Sequence, residues 1–375
     1  MTSEYICTWR ANNLSEMSCC RIPIPSRGTD KQTIAPADLF GVFLKGNAPM
    51  SCQEDQSNRL LYAQTVVLDP SESLQVCEIS TEGPGTRSWR PLTNFGTTFS
   101  AFAFGVDLSD NPVMYAADPA NSRLYQFGPP GGTGAEKTRN DRATAYYALP
   151  DPERWKGSSI VDFMTRRLPQ GGGGEYVNMA YVLSGSDGSN THLLITPLKQ
   201  GDENPGMEYF DAPKVIVCDK QAHQVMVDPQ HKWAWVVSPS VLRRVDLQNT
   251  DNVHDTPGPW SSRLTFAYSG DYCYGVIASG SGVKCFPVEK GNEFWIVPAE
   301  GVAGTPNLHP IVENPIPGNN GIVASADNRV WTLGTWNKKD ALYGWDLQSK
   351  THSVYDISAP DFLFVNELHY VRDGS

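Results

Sequence analysis

His223, in Ala222-His-Gln-Val-Met-Val-Asp-Pro229, is the one histidine on an expected innermost strand. An imidazole there can donate a hydrogen bond to a ligand carbonyl or act as a general base. It also fits a satisfied wall residue, the commoner role for a buried polar group. Phe99 and Ser100, Ser158 and Ser159, Gln221, Tyr272 and Tyr274, and Asn319 and Asn320 occupy corresponding positions, at the expected starts of innermost strands. The set mixes rings, hydroxyls and amides with little charge, which suits an uncharged, largely apolar small molecule held by a few hydrogen bonds. Trp336, in Gly334-Thr-Trp-Asn-Lys-Lys339 past a strand end, adds a ring that could cage such a ligand. Asn320-Gly321 reads equally as an ordinary turn.

Other chemistries find no support. Gly171-Gly-Gly-Gly174 lacks a following Lys-Ser/Thr and a helix, so it is not a phosphate loop. Ser184-Gly-Ser-Asp-Gly188 has no strand-to-helix setting for a nucleophile elbow. The eight cysteines form no Cys-x-x-Cys pair and no zinc-finger spacing with histidine. No cofactor and no metal is expected. Most acidic residues fall in turns, where Asp caps its own backbone.

The cysteines read either as buried free thiols or as disulfides. In Tyr272-Cys-Tyr-Gly-Val-Ile-Ala-Ser-Gly-Ser-Gly-Val-Lys-Cys-Phe286, a Ser-Gly-Ser-Gly turn places Cys273 and Cys285 symmetrically about residue 279. A hairpin centred there would set them opposite each other, within disulfide reach.

The elements that must position these residues are strands. Helical periodicity is almost absent, and 33 Gly and 28 Pro break most candidates. Short runs rich in Val, Ile, Tyr, Phe and Trp recur between Asp-Pro, Asp-Asn and Gly-rich turns. They share one grammar. A small apolar strand (Phe102–Asp107, His223–Asp228, Gly321–Asp327) precedes an aromatic strand, then a third such as Arg123–Phe127, Leu242–Asp246 or Leu342–Asp346. The aromatic markers Tyr62, Tyr115, Tyr181 and Trp235 are 53, 66 and 54 residues apart, and Trp331 follows after 96, or two further steps. The Cys273–Cys285 region fills the missing unit. This period predicts an all-β, six-bladed β-propeller over residues 1–375 as a single domain, with residues 1–35 an irregular, cysteine-containing lead-in. A terminal strand such as Asp361–Val365 is expected to close the circle. A pair of β-sandwiches would not explain the repeated grammar. The tryptophans, Trp233, Trp235, Trp331 and Trp345 among them, are expected to pack between blades.

Of the 375 residues, 40% are hydrophobic and 19% charged, and the formal net charge is −11. That is a globular composition, and it argues against a nucleic-acid partner, which needs clustered Lys and Arg. No apolar run is long enough for a membrane span. A monomer with a hydrophobic small-molecule substrate is expected. Asn13-Leu-Ser15 is a sequon, which fits a secreted glycoprotein whose leader has been removed; the residues from Met1 onward do not themselves read as a signal peptide. The secretory pathway is the expected compartment, with the cytosol as the alternative.

The phrases Ala222–Pro229 and Asn319-Asn-Gly-Ile-Val-Ala-Ser-Ala-Asp-Asn-Arg-Val-Trp331 resemble blade openings of the six-bladed lactonase and calcium-dependent phosphotriesterase superfamily. Glu82-Gly-Pro84 echoes that group's metal-binding tripeptide, yet only Asn320 matches a ligand position, and Ca²⁺ takes six to eight oxygens. In length, blade phrasing and cysteine-rich ends, most of the chain more closely resembles a fungal subgroup of propellers. That subgroup includes a lipid-binding yeast allergen, a trichothecene-cluster protein and hetero-Diels–Alderases of tropolonic sesquiterpenoid pathways. The resemblance implies a cofactor-free pericyclase joining a quinone methide to a polyene terpene in the channel, with His223 as the expected catalytic residue. The alternative it implies is a non-catalytic lipid- or metabolite-binding propeller, with a metal-dependent lactonase behind both.

Overall fold

Short acidic turns set the strand lengths. Asp118 accepts the backbone N–H groups of Ala120 and Asn121 at 3.0 and 3.2 Å. Asp246 accepts those of Gln248 and Asn249 at 2.9 and 3.3 Å, and Asp346 those of Gln348 and Ser349 at 3.0 and 3.1 Å. Each is a turn in which a carboxylate stands in for a backbone acceptor and reverses the chain within a few residues. Ser122 and Lys350 complete two of them at φ of 52° and 57°. Between such turns the strands are short and strongly apolar, as in Trp233-Ala-Trp-Val-Val237, where every residue is buried.

The computed structural model describes residues 3–12, 16–27, 34, 37–42, 48–55, 60–66, 74–78, 90–91, 98–107, 111–128, 143–148, 159–170, 175–185, 190–200, 208–210, 213–260, 262–279, 282–289, 295–298, 307–308, 321–336, 339–357 and 362–373. Among the described residues every regular element is a β-strand. The chain opens with β1 (Ser3–Asn12), β2 (Glu16–Pro23) and β3 (Ala37–Val42). Unit I is β4 (Ala48–Asp55), β5 (Leu60–Val66), β6 (Leu74–Glu78) and β7 (Arg90–Pro91). Unit II is β8 (Ala101–Val106), β9 (Pro112–Asp118), β10 (Arg123–Phe127) and β11 (Ala143–Ala148).

Unit III contains β12 (Ser159–Gln170), β13 (Glu175–Gly185), β14 (His192–Gln200), β15 (Glu208–Phe210) and β16 (Lys214–Val217). Unit IV is β17 (Gln224–Val227), β18 (Trp233–Val237), β19 (Val241–Asp246) and β20 (Val253–Pro257). Unit V is β21 (Leu264–Ser269), β22 (Tyr272–Ser279), β23 (Gly282–Pro287) and β24 (Trp295–Pro298). Unit VI holds β25 (Asn307–Leu308), β26 (Ile322–Ala324), β27 (Arg329–Trp336), β28 (Lys339–Asp346) and β29 (Thr351–Asp356). The last strand is β30 (Phe362–Asp373).

Within units I, II, IV and V consecutive strands pair antiparallel, and in unit VI β25 and β26 both pair antiparallel with β27, which leads on to β28 and β29. In unit III the fourth place is taken by β16, while β15 pairs β14 and lies parallel to β11, tying units II and III at their outer edges. The last strand does not stand alone. β30 pairs β1, from Ser3↔Asp373 to Asn12↔Phe362, and β2 and β3 follow outward to form unit VII. The inner strands of the units form a ring: β30 lies against β4, β4 against β8, β8 against β12, β12 against β17, β21 against β26, and β26 against β30, while Gln224 of β17 hydrogen-bonds Leu264 of β21. Radial meanders around a ring of inner strands make a β-propeller, whose channel runs along those strands.

The apolar core is divided among the interfaces between units. Ile160 and Phe163 of unit III pack with Tyr115, Leu124 and Tyr147 of unit II. Trp233 and Trp235 of unit IV pack with Leu264, Cys273 and Phe286 of unit V, as expected for inter-blade tryptophans. Trp345 lies between units V and VI, and Trp331 between VI and VII.

Three expectations are corrected. The described strands group into seven units rather than six, because unit VII is built from both ends of the chain. For the same reason residues 1–35 are not an irregular lead-in: they carry β1 and β2. Third, the β22–β23 hairpin pairs Ser279 with Gly282, so its centre lies beyond residue 279 and Cys285 faces Val276. Cys273 instead accepts the N–H of Val288 at its backbone carbonyl, and its side chain joins a different apolar cluster from that of Cys285. Cys273 and Cys285 are both free and buried, as are Cys7 and Cys218.

Candidate functional site at the channel mouth

The starts of β12, β17 and β21 bring four polar side chains together. His223 immediately precedes β17, and its N–H extends the ladder to the carbonyl of Val237 at 2.9 Å. Its Nδ1 lies 3.3 Å from the carbonyl oxygen of Gln221. A carbonyl only accepts, so Nδ1 carries the proton and Nε2 the lone pair. The residue is 4% exposed, and Nε2 is buried without a hydrogen-bond partner among the described residues. Burial, aided by the Arg263 guanidinium, pushes the imidazole pKa down to about 4.

Arg263 precedes β21 and donates to Asp162 Oδ2 at 2.7 Å. It also reaches the carbonyl oxygen of His223 at 3.5 Å. The same carboxylate oxygen accepts the N–H of Val225 at 2.9 Å. Asp162 sits beside a register shift between Ile160 and Asp162, which turns it toward unit IV. Burial raises its pKa against the opposing pull of Arg263. Beside this pair, Gln224 donates Nε2–H to the Leu264 carbonyl at 3.0 Å and accepts the Leu264 N–H at 2.6 Å. Ser100, on the far side, donates its hydroxyl to the Ile160 carbonyl.

The other expected site residues separate. Phe99 is fully buried, edge-on to Tyr125 and Phe127 at 6.0 and 6.1 Å, and is core between units I and II rather than rim. Tyr272 and Tyr274 are on β22, a second strand; β21 is the inner one. Tyr272 therefore stands at the opposite face of the ring, 53% exposed beside the turn at Gly270, whose φ of 60° favours glycine. Tyr274 packs against the cluster between units V and VI. Trp336 ends β27, paired with Lys339 at the turn on the same face as the inner-strand starts; its side chain is outside the described set. Asn319, Asn320, Glu82 and the sequon at Asn13 lie outside the described residues.

Asp162 and Arg263 escaped sequence reasoning, although both lie within three residues of an inner-strand start. Aligning the starts of β12, β17 and β21 would have paired them. Among the described residues, no group of three or more His, Cys, Asp or Glu could hold a metal ion. No helix of the described residues is long and apolar enough to cross a membrane.

No family model matches the chain, and no curated protein matches its sequence. Solved structures do match its fold. A functionally unknown protein from Desulfotomaculum acetoxidans is similar over 97% of this chain and 99% of its own, at 12% identity and a TM-score of 0.54. A protein from Lactobacillus plantarum is similar over 99% and 100%, at 14% identity and a TM-score of 0.57. Kluyveromyces lactis Hsv2 matches more loosely, over 83% and 98% at 8% identity and a TM-score of 0.37. At such identities the likeness extends to the fold alone.

Proposed function

We propose that the chain is a propeller that binds a neutral, hydroxyl-bearing apolar molecule at the mouth formed by the starts of β12, β17 and β21. The chemistry proposed there is a cofactor-free hetero-Diels–Alder cycloaddition, joining a quinone methide to a polyene terpene alcohol. One observation carries the binding: the lone pair of His223 Nε2 is buried and makes no hydrogen bond among the described residues. With Nδ1–H committed to Gln221, Nε2 accepts and does not donate. It fits a ligand hydroxyl better than the ligand carbonyl expected from sequence. A pKa near 4 keeps the ring neutral at physiological pH, so it orients rather than transfers a proton.

The resemblance to fungal propellers supports the reaction class. Cycloaddition needs no nucleophile; holding two reactants in near-attack geometry supplies at best about 7–11 kcal/mol of barrier reduction. A monomer is proposed. Cys7, Cys218, Cys273 and Cys285 are free thiols, which favours the cytosol over the secretory pathway.

The test is a product assay. EDTA-treated protein is incubated with an ortho-quinone methide precursor and a humulene-type alcohol. A chiral adduct above the racemic background, reduced in His223→Ala, is expected. Background adduct with saturable binding of the alcohol would leave a carrier, and no binding would end this reading.

A further inference from the structure

Four residues beyond Asp162 on β12, roughly 13 Å along an extended strand, Arg166 points into the unit III–IV boundary toward the other face of the ring. Its Nη2 donates one long bond, 3.4 Å, to the carbonyl of Val227. Its Nε is buried with no hydrogen-bond partner among the described residues. His231 stands in the β17–β18 turn at φ 55°, and its Nδ1 is likewise buried and unpartnered among the described residues. The two are electrostatic neighbours: after burial, Arg166 is the next cause lowering the His231 pKa.

Asp228 is the nearby carboxylate, but it does not supply an ion pair. One oxygen accepts the N–H of Gln230 at 2.9 Å, and the other accepts those of Lys232 and Trp233 at 3.1 and 2.5 Å. Tyr181 lies within electrostatic reach of Arg166, its phenol held protonated by burial with a pKa near 12. Adjacent Arg167 is committed elsewhere, donating to the carbonyl of Asp107 at 3.0 Å and covering the Tyr176 ring.

From this juxtaposition we infer a second site: Arg166 and His231 bind the carboxylate of an organic acid at the ring face opposite His223. The Nε and Nη2 edge of a guanidinium presents two parallel N–H groups that match the two oxygens of a carboxylate. Nη2 keeps one proton after serving Val227, and Nε keeps its own. A neutral His231 offers a further N–H from Nδ1 to one of the same oxygens. The single guanidinium, with Asp228 close by, selects a monoanion against a doubly charged phosphate.

The test is calorimetric titration of the full chain with acetate, benzoate and decanoate, against benzyl alcohol and inorganic phosphate. At least one carboxylate is expected to bind saturably at one site, and benzyl alcohol and phosphate not to. Arg166→Gln should weaken that binding at least tenfold, with Arg167→Gln unchanged. Urea melts check that the variants are folded. Should Arg166→Gln fail to fold, Arg166→Lys decides, since it keeps the charge but loses the fork and should bind severalfold more weakly. No saturable carboxylate binding, equal binding of phosphate, or wild-type affinity in the folded Arg166 variant would each overturn the site.

Discussion

Gln224 meets Leu264 as a strand would: its side-chain amide donates to the Leu264 carbonyl and accepts the Leu264 N–H, at 3.0 and 2.6 Å. The pair joins β17 to β21 where no backbone ladder does. Two further inner-strand steps use the same device, Ser100 on the Ile160 carbonyl and Asp162 on the Val225 N–H. The inner strand of every unit is a sheet edge, and an edge leaves backbone groups unpaired. In this ring a side chain of one unit satisfies the edge of the next.

Truncating Gln224→Ala strands a buried donor and a buried acceptor on Leu264. Each stranded group costs about 1–3 kcal/mol, so urea unfolding should show a clear drop in stability. A midpoint equal to wild type would show that the Gln224–Leu264 link contributes nothing.

His223 makes stability depend on pH in a defined window. Its folded pKa, about 4, lies below the ordinary value of 6.5. Between these the unfolded chain binds a proton that the folded chain refuses, so stability is full above 6.5 and falls as pH drops toward 4. The loss between pH 7.5 and 5 is expected to be about 2 kcal/mol. His223→Gln should flatten that part of the curve relative to wild type; parallel curves would remove the residue from the linkage.

Cys273 and Cys285 should remain silent to a thiol reagent in the folded protein and react once it is unfolded. Burial raises both thiol pKa values, that of Cys273 to about 11. Peptide mapping without reductant should recover both as single-chain thiol peptides, and a Cys273–Cys285 cross-link would contradict the hairpin register.

Gly344 faces Trp331 across β27 and β28. A Cβ there would come within 2.7 and 2.9 Å of two carbons of the buried indole. Gly344→Ala is therefore expected to cost about 1–3 kcal/mol through overpacking, read as a lowered Tm. An unchanged Tm would mean that the indole can shift.

The repeat was legible where one strand carried a marker. Tyr62, Tyr115, Tyr181, Trp235 and Trp331 all fall on the strand that follows the inner one, and Tyr115, Tyr181, Trp235 and Trp331 are buried there, where a large ring fills the space between units. The expected closing segment Asp361–Val365 overlaps β30. What stayed hidden was long-range. Nothing local in Ser3–Asn12 announces that its partner lies at the other end of the chain, so one unit went uncounted. The β22–β23 register depended on which of four small residues made the turn, and an error of a few residues put Cys273 and Cys285 opposite each other. At the mouth, His223 was visible as a residue type, but its proton position follows from a carbonyl two residues away and could be read only from geometry.

Unit VII has a consequence for the order of assembly. Its inner strand, β30, follows every other strand of the ring in sequence, while β1, β2 and β3 precede the rest. During synthesis these three strands wait with the β1 edge bare, an invitation to pair with a second nascent chain. Ring closure then brings together residues separated by nearly the whole sequence, a step slowed by the entropy of closing so long a loop. The pairing of β30 with β1, rather than any event in the first six units, is the point at which the molecule commits to its own strands instead of a neighbour's.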